Sequence, residues 1–570
     1  MIPGLGLVLF LFFNICSSQD VVVQTGRGPV AGYRADYGND KSKLWYGQAD
    51  VFLGIPYVQP PVGNLRFAKP QKLTTFPGSS PYNASKFSNA CPQTNYNLRG
   101  FNISEDCLYL NIFTPDAKST YKYPVMLFIH GGAFLTGYAG EYSVPGIVRN
   151  LVSRGVVVVT IQYRIGMLGF FTTRTPEFPA NLGLLDQIEA MKFVIDEIPN
   201  FGGNPYAITL FGQSAGSASV SAHLFSPVSQ NLFQQAILES GSIFTCLDGA
   251  TGFKNVSQQR AQQLCNFTQA DWDSKNYTAL KDCLMKKTYQ DFLNYELLNF
   301  YGWNMVQDDY FLPDVPRNLY KNRPNIPVIY GNCHDEWSLA DLQNLAEGNE
   351  NLTDINSFSY NFVVEFFLSE LVSDSSRETD LMSIMNSVYA TPAPPDSDHV
   401  AWMRITNDVM TSATGTAFNG REIDWYVYNN NPNVYTYEFE WPTQVGRPYI
   451  VPGWNPVFHC AELYMVFMPD YFWEPVYLNS TGIAQELQVA NYMGQTWTNF
   501  AKYGKPTLDD SWKPTRSLVD QEYYQINITS SMKTGFRRVD RMLWNQALPA
   551  LIGEMPPENP VGQKRQTDEL

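Results

Sequence analysis

Residues 207–225, AITLFGQSAGSASVSAHLF, place Ser214 between Gly212 and Gly216, the G-x-S-x-G spacing that presents a serine hydroxyl as a nucleophile. That chemistry needs a strand, a strained turn and a helix, with glycines at the flanks because side chains there collide with neighbouring backbone. AITLF is apolar and β-branched enough for a buried strand, and AGSASVSAHLF can wind as a helix of small residues. A serine hydroxyl is a weak nucleophile until a base takes its proton and a third group holds that base in the right tautomer. The chain has five histidines, so elimination is informative. His130 opens a glycine turn, His223 falls inside the elbow helix, His334 is two residues from the best acid, and His399 follows the Pro-rich ATPAPPDSD. His459, in GWNPVFHCAELYMVF, lies on a loop after a strand-like run, where a base can overhang a sheet. Glu336, in VIYGNCHDEW, follows another buried run and is the candidate acid; its neighbour Asp335 is the rival. The glycines of HGGAF (130–134) can turn backbone N–H groups toward an oxyanion, and Ala215, after the nucleophile, adds another.

Other chemistries fit less well. Cys333, His334, Asp335 and Glu336 are consecutive and cannot all face one metal ion, and neither HExxH nor CxxC accompanies them. FGGNP at 201–205 lacks the lysine of a phosphate cradle. No cofactor or metal is expected.

Positioning these groups requires a sheet. Six apolar runs follow one another: PVMLFIHGG from Pro124, GVVVVTIQYR from Gly155, AITLFG from Ala207, QQAILESGS from Gln234, IPVIYGN from Ile326 and NVYTYEFEW from Asn433. Their hydrophobicity is continuous rather than alternating, which predicts strands covered on both faces and therefore a mostly parallel sheet. Ligands of such sheets bind beyond the strands' carboxyl ends. Three of the runs end in His130–Ala133, Gly212–Gly216 and Gly331–Glu336. Across 570 residues there is no internal repeat or long linker, so residues 19–548 are expected to form one α/β domain with insertions.

A balance of 54 acidic against 39 basic residues, net −15, disfavours nucleic acid or an anionic membrane surface as partner. Residues 1–18 carry an apolar core too short for a membrane span, followed by small residues that suit signal peptidase. No later apolar stretch is long enough to span a membrane. N-x-[ST] sequons at Asn83, Asn102, Asn255, Asn266, Asn276, Asn351, Asn479 and Asn527 fit a lumenal chain. The polar tail, 549–570, ends in TDEL, similar to a K/H-D-E-L retrieval address, so the expected location is the endoplasmic reticulum lumen or the exterior.

The chain resembles a type-B carboxylesterase of the carboxylesterase/cholinesterase family through nearly all of its mature length. The resemblance rests on FLGIPYVQPPVGNLRF (52–67), SEDCLYLNIFTP (104–115), NLGLLDQ (181–187), FGGNPYAITLFGQSAG (201–216) and SPVSQNLFQQAILESGS (226–242), with GNCHDEW and FHCAELYMVF later. It implies an α/β-hydrolase fold and hydrolysis of small carboxylic esters. Ser214 would be the nucleophile, His459 the base and then the acid, and Glu336 its orienting carboxylate. Gly132, Ala133 and Ala215 would donate to the oxyanion. It also implies the disulfides Cys91–Cys107 and Cys265–Cys283. Two departures separate the chain from cholinesterases: neutral Gln213 stands where they carry glutamate, and the 91–107 loop has no tryptophan for a choline cation. Ala133 replaces the last glycine of the family's common oxyanion run. Adhesion relatives without a complete triad offer a non-catalytic alternative, and lipase-like or hormone-ester-specific esterases a narrower one; the full set of triad residues favours an enzyme. Cys246, Cys333 and Cys460 lie outside the family pairing. Because Cys333 precedes the acid by three residues and Cys460 follows the base, a bridge between them is an expectation the structure can test.

Overall fold

A computed structural model of the chain describes residues 20–94, 98–248, 256–296, 303–347, 354–364, 378–479 and 481–552. Residues 1–18, Asn255, Asn351 and the TDEL end lie outside the described residues.

The strands are β1 (Asp20–Thr25), β2 (Gly28–Asp36), β3 (Gln48–Pro56), β4 (Tyr82–Asn83), β5 (Tyr109–Thr114), β6 (Tyr123–Ile129) and β7 (Val157–Ile161). They continue with β8 (Gly203–Gln213), β9 (Gln235–Glu239), β10 (Val328–Cys333), β11 (Val434–Phe439), β12 (Tyr523–Ile526) and β13 (Ser531–Lys533). All belong to one sheet in the order β1-β2-β3-β5-β7-β6-β8-β9-β10-β11-β12-β13, with β4 beside β2. From β7 through β12 every neighbouring pair is parallel. The six apolar runs are β6 to β11.

Their unbroken hydrophobicity has a direct cause in the packing. Along β6, Val125, Leu127 and Ile129 enter one core while Met126 and Phe128 enter the other. Side chains alternate as in any strand, but both faces are dry, so no position calls for a polar residue. Helices Leu182–Glu197 and Ala215–Phe225 cover the first face; Val144–Asn150 and Ile483–Tyr503 cover the second. Each large apolar side chain buried this way contributes roughly 1.5–3 kcal/mol.

The antiparallel flanks were not foreseen. In β2 only part of the strand is buried, so its residues read as an ordinary polar–apolar mixture. The helix Leu548–Ile552 runs across the expected domain end, with Leu548 fully buried. Among the described residues no helix is long and apolar enough to cross a membrane.

Candidate active site

Strand β8 ends at Gln213, and the helix Ala215–Phe225 starts two residues later, leaving Ser214 alone in the turn at φ 58°, ψ −126°. A non-glycine residue there is strained, and the Ser214 N–H donation to the Glu239 carbonyl of β9 (2.9 Å) helps hold it. The flanking glycines are required by close approach. A Cβ on Gly216 would lie 2.0 Å from the Ile129 carbonyl oxygen, and one on Gly212 would lie 2.5 Å from the backbone of Gly216.

The parallel register brings the other groups to the same end of the sheet. Cys333, the last residue of β10, pairs with Phe439, the last of β11. The chain after β11 returns to β10 through a bridge between Phe458 and Asp335. This return settles which of two adjacent carboxylates meets the histidine. Asp335 accepts from the Val457 N–H (2.8 Å) and binds the His334 ring, so its role is to stitch the loop. Glu336 turns inward and accepts from His459 Nδ1 at 2.5 Å, while its other oxygen accepts from the Cys333 N–H (2.7 Å) and the Asn332 amide (3.3 Å). A carboxylate can only accept, so the proton sits on Nδ1 and Nε2 keeps its lone pair. Burial works against the charged imidazolium of His459, but the charge and hydrogen bond of Glu336, with Glu462 behind, outweigh it and raise its pKa above the ordinary value. The Nε2 accepts from the Gln213 side-chain amide at 3.1 Å.

The other histidines are engaged elsewhere. His130 is buried and stacked on Tyr163 (4.4 Å between ring centres), donating to the Gly131 carbonyl; burial lowers its pKa to about 4. His223 is held inside by Ser229 and Gln187, and His399 meets the Phe358 carbonyl.

After β6 the chain turns through Gly132 at φ +106°, where a Cβ would lie 2.3 Å from the Thr136 carbonyl oxygen, and through Ala133 at φ 54°. Among the described residues no acceptor takes the N–H of Gly132 or Ala133. Ala215, buried behind Ser214, opens its helix, so its N–H has no intrahelical acceptor. Gly132, Ala133, Gln213, Ser214, Glu336 and His459 all line one cavity of about 480 Å³.

Residues 19–544 match the Carboxylesterase family. The chain belongs to the Carboxylesterase family. It is a carboxylic ester hydrolase, and its mixed sheet with a parallel centre is the α/β-hydrolase fold the resemblance implied. Similar curated proteins include gut esterase 1 of Caenorhabditis briggsae, 29% identical over 566 residues, with 95% of this chain and 94% of that protein aligned. Acylcarnitine hydrolase of Mus musculus is 31% identical over 522 residues (89% and 88% aligned), and carboxylesterase 1C of Rattus norvegicus 30% over 535 (89% and 90%).

Behind the histidine, the carboxylesterase holds a second acid that motif reading missed. Glu462 is fully buried and accepts from the Cys333 thiol at 2.8 Å and from the Ser240 hydroxyl at 3.3 Å. Burial and the nearby Glu336 charge push it up to about 7. The signal in the sequence is its place three residues after His459, on the next turn of chain. Glu239, also fully buried, is pushed well up by burial and by Glu462, and accepts from the Trp497 indole at 3.0 Å.

The structure joins Cys91 to Cys107 and Cys265 to Cys283. It does not join Cys333 to Cys460. The Cys333 thiol ends β10 inside the core and is spent on Glu462. Cys460, at φ 66°, turns to Tyr464 (3.5 Å) and the cavity. Both thiols and Cys246 are free. Of the sequon asparagines, Asn83, Asn102, Asn266, Asn276 and Asn479 are exposed, whereas Asn527 is half-buried and donates to the Glu440 carbonyl.

Proposed function

We propose that this carboxylesterase cleaves uncharged carboxylic esters through an acyl-enzyme on Ser214, with His459 as base and then acid and Glu336 as its orienting carboxylate. The observation that carries the reading is the 2.5 Å contact between His459 Nδ1 and Glu336, in a wall shared with Ser214. In the first half-reaction Nε2 of His459 takes the Ser214 proton as Oγ bonds to the ester carbonyl carbon. The Gln213 amide must release Nε2 for this step. The oxyanion forms against the N–H groups of Gly132, Ala133 and Ala215, each worth roughly 10²–10³ in rate. The imidazolium, stabilised by Glu336, returns its proton to the leaving alcohol; water then repeats the cycle and frees the acid. Gln213 offers no charge to a quaternary ammonium, so choline esters are expected to be turned over more slowly than their neutral isosteres.

Replacing Ser214 with Ala should abolish labelling by a fluorophosphonate and lower kcat by at least about 10³ while the protein still folds. Persistent labelling would overturn the assignment. In the same reading the chain is a lumenal glycoprotein, and deleting TDEL should move it from cells to medium; an unchanged partition would reduce those residues to an acidic tail.

A further inference from the structure

Among the described residues lining the catalytic cavity, Arg99 is the one lysine or arginine. It projects from the loop closed by Cys91–Cys107, at a turn in which Arg99 and Gly100 both have positive φ and the Phe101 N–H donates to the Leu98 carbonyl (2.8 Å). A non-glycine residue in that conformation is strained. The loop is tied to the oxyanion segment on one side: the Gln93 amide donates to the Gly137 carbonyl and accepts from the Gly137 N–H, both at 3.0 Å. Phe101 packs on Tyr138 on the other, 4.8 Å between ring centres.

The guanidinium carbon lies over Tyr471, 3.2 Å from the ring centre, and 5.4 Å from that of Phe472. The platform is itself fixed, since the Tyr471 hydroxyl donates to the Glu141 carbonyl (3.2 Å) and Phe472 packs on Tyr464. Stacking occupies the face of the guanidinium and leaves its N–H edge free, and among the described residues no carboxylate ion-pairs with it. A planar fork held rigid at the edge of a reaction cavity suits a planar or tetrahedral anion.

We propose that Arg99, stacked on Tyr471 and Phe472, forms an anion subsite that receives a carboxylate or phosphate carried by the ester substrate away from its reacting carbonyl. This rests on the esterase reading and extends it from uncharged esters to esters with a remote negative group. Two acids share the cavity wall with Arg99. Glu336 is committed to His459. Glu141 is pushed up to about 7 by burial, with Arg99 pulling the other way, so near neutral pH a proton on Glu141 answers an arriving anion. The protein's net charge of −15 repels anions at long range, which makes one local cation decisive for their choice.

The test compares kcat/KM in two substrate pairs. One pair places a carboxylate on the acyl side: mono-p-nitrophenyl adipate against p-nitrophenyl hexanoate. The other places a phosphate on the alcohol side: 4-acetoxyphenyl phosphate against phenyl acetate. The charged-to-neutral ratio should fall about tenfold in Arg99→Gln in at least one pair, as expected for losing a hydrogen bond to a charged group. Arg99→Lys should keep part of it, and the responding pair tells which side of the ester the anion belongs to. Ratios equal in wild type and Arg99→Gln for both pairs overturn the subsite. Where Arg99→Gln is not recovered as fluorophosphonate-reactive protein, Arg99→Met is put through the same two pairs, and ratios equal to wild type there overturn the subsite equally. Failure of the wild type on all four esters strikes instead at the esterase reading on which the subsite rests.

Discussion

Gln213 occupies the lone pair that His459 would use in the proposed mechanism. Replacing it with Glu puts a negative charge against the ring, favours the imidazolium and raises the histidine pKa further; because the base works only when neutral, the acidic limb of the kcat/KM profile should move to higher pH. A limb that stays or moves down would show that Gln213 does not face the working base. Glu336→Gln should lower kcat by about 10⁴ with folding intact, since the Cys333 N–H and the Asn332 amide would keep the amide oxygen and turn the NH2 toward Nδ1, which then has to accept and loses its proton. Asp335→Asn should act differently, loosening the Phe458 segment, and should show as faster amide exchange around 456–460. At this scale the sequence was legible where chemistry narrows the choice. Few histidines exist, and one follows the last strand run. It was not legible where two carboxylates are neighbours: Asp335 and Glu336 differ only in which way a turn points them, and that is decided by Val457, 122 residues away. Glu462 stands three residues after His459, but the partners that bury it, Cys333 and Ser240, are 129 and 222 residues away.

Strand β6 and the elbow helix meet at contact distance, so an alanine methyl at Gly216 would strike the Ile129 carbonyl. Gly216→Ala should destabilise the fold by about 1–3 kcal/mol, as overpacking does, and should cost activity beyond that by displacing Ser214. Thermal unfolding beside active-site titration separates the two effects. The free thiols offer a check on the same segments. Denatured, unreduced protein lacking residues 1–18 should present three titratable thiols, and peptide mapping should place them at 246, 333 and 460. β6 to β11 could be read from the sequence because burial on both faces leaves a continuous apolar run. β1, β2, β4, β12 and β13 could not, because a strand wet on one side or at an edge needs no such run; β3 and β5 are buried, but Asp50, held by Arg34, and Asn111, held by Thr160, interrupt their apolar runs.

The whole molecule hides several acids in their neutral form. Burial pushes Glu462 and Glu296 up to about 7 and Asp341 up to about 8, each above its unfolded value. Between those values the native state holds protons that the unfolded chain has lost, so stability falls as pH rises toward 8. The buried His130 and His223, lowered to about 4 and about 3, act the other way, but only below the ordinary histidine value near 6.5. From pH 6.5 to 8 the acids act together with His459 and His334, whose pKa values are raised above the ordinary one and which lose stabilisation in the same direction, and Tm should decline; Asp341→Asn should lessen the decline, and a flat or rising Tm across that window would refute it. The chain's connectivity has a last consequence, in time rather than space. Gln213 and His459 touch, yet 246 residues separate them. At about 5–20 residues per second a ribosome exposes the serine roughly 12–50 s before it makes the histidine. In the proposed mechanism the growing chain carries a nucleophile with no base through that interval, so ester cleavage has to wait until most of the chain is made.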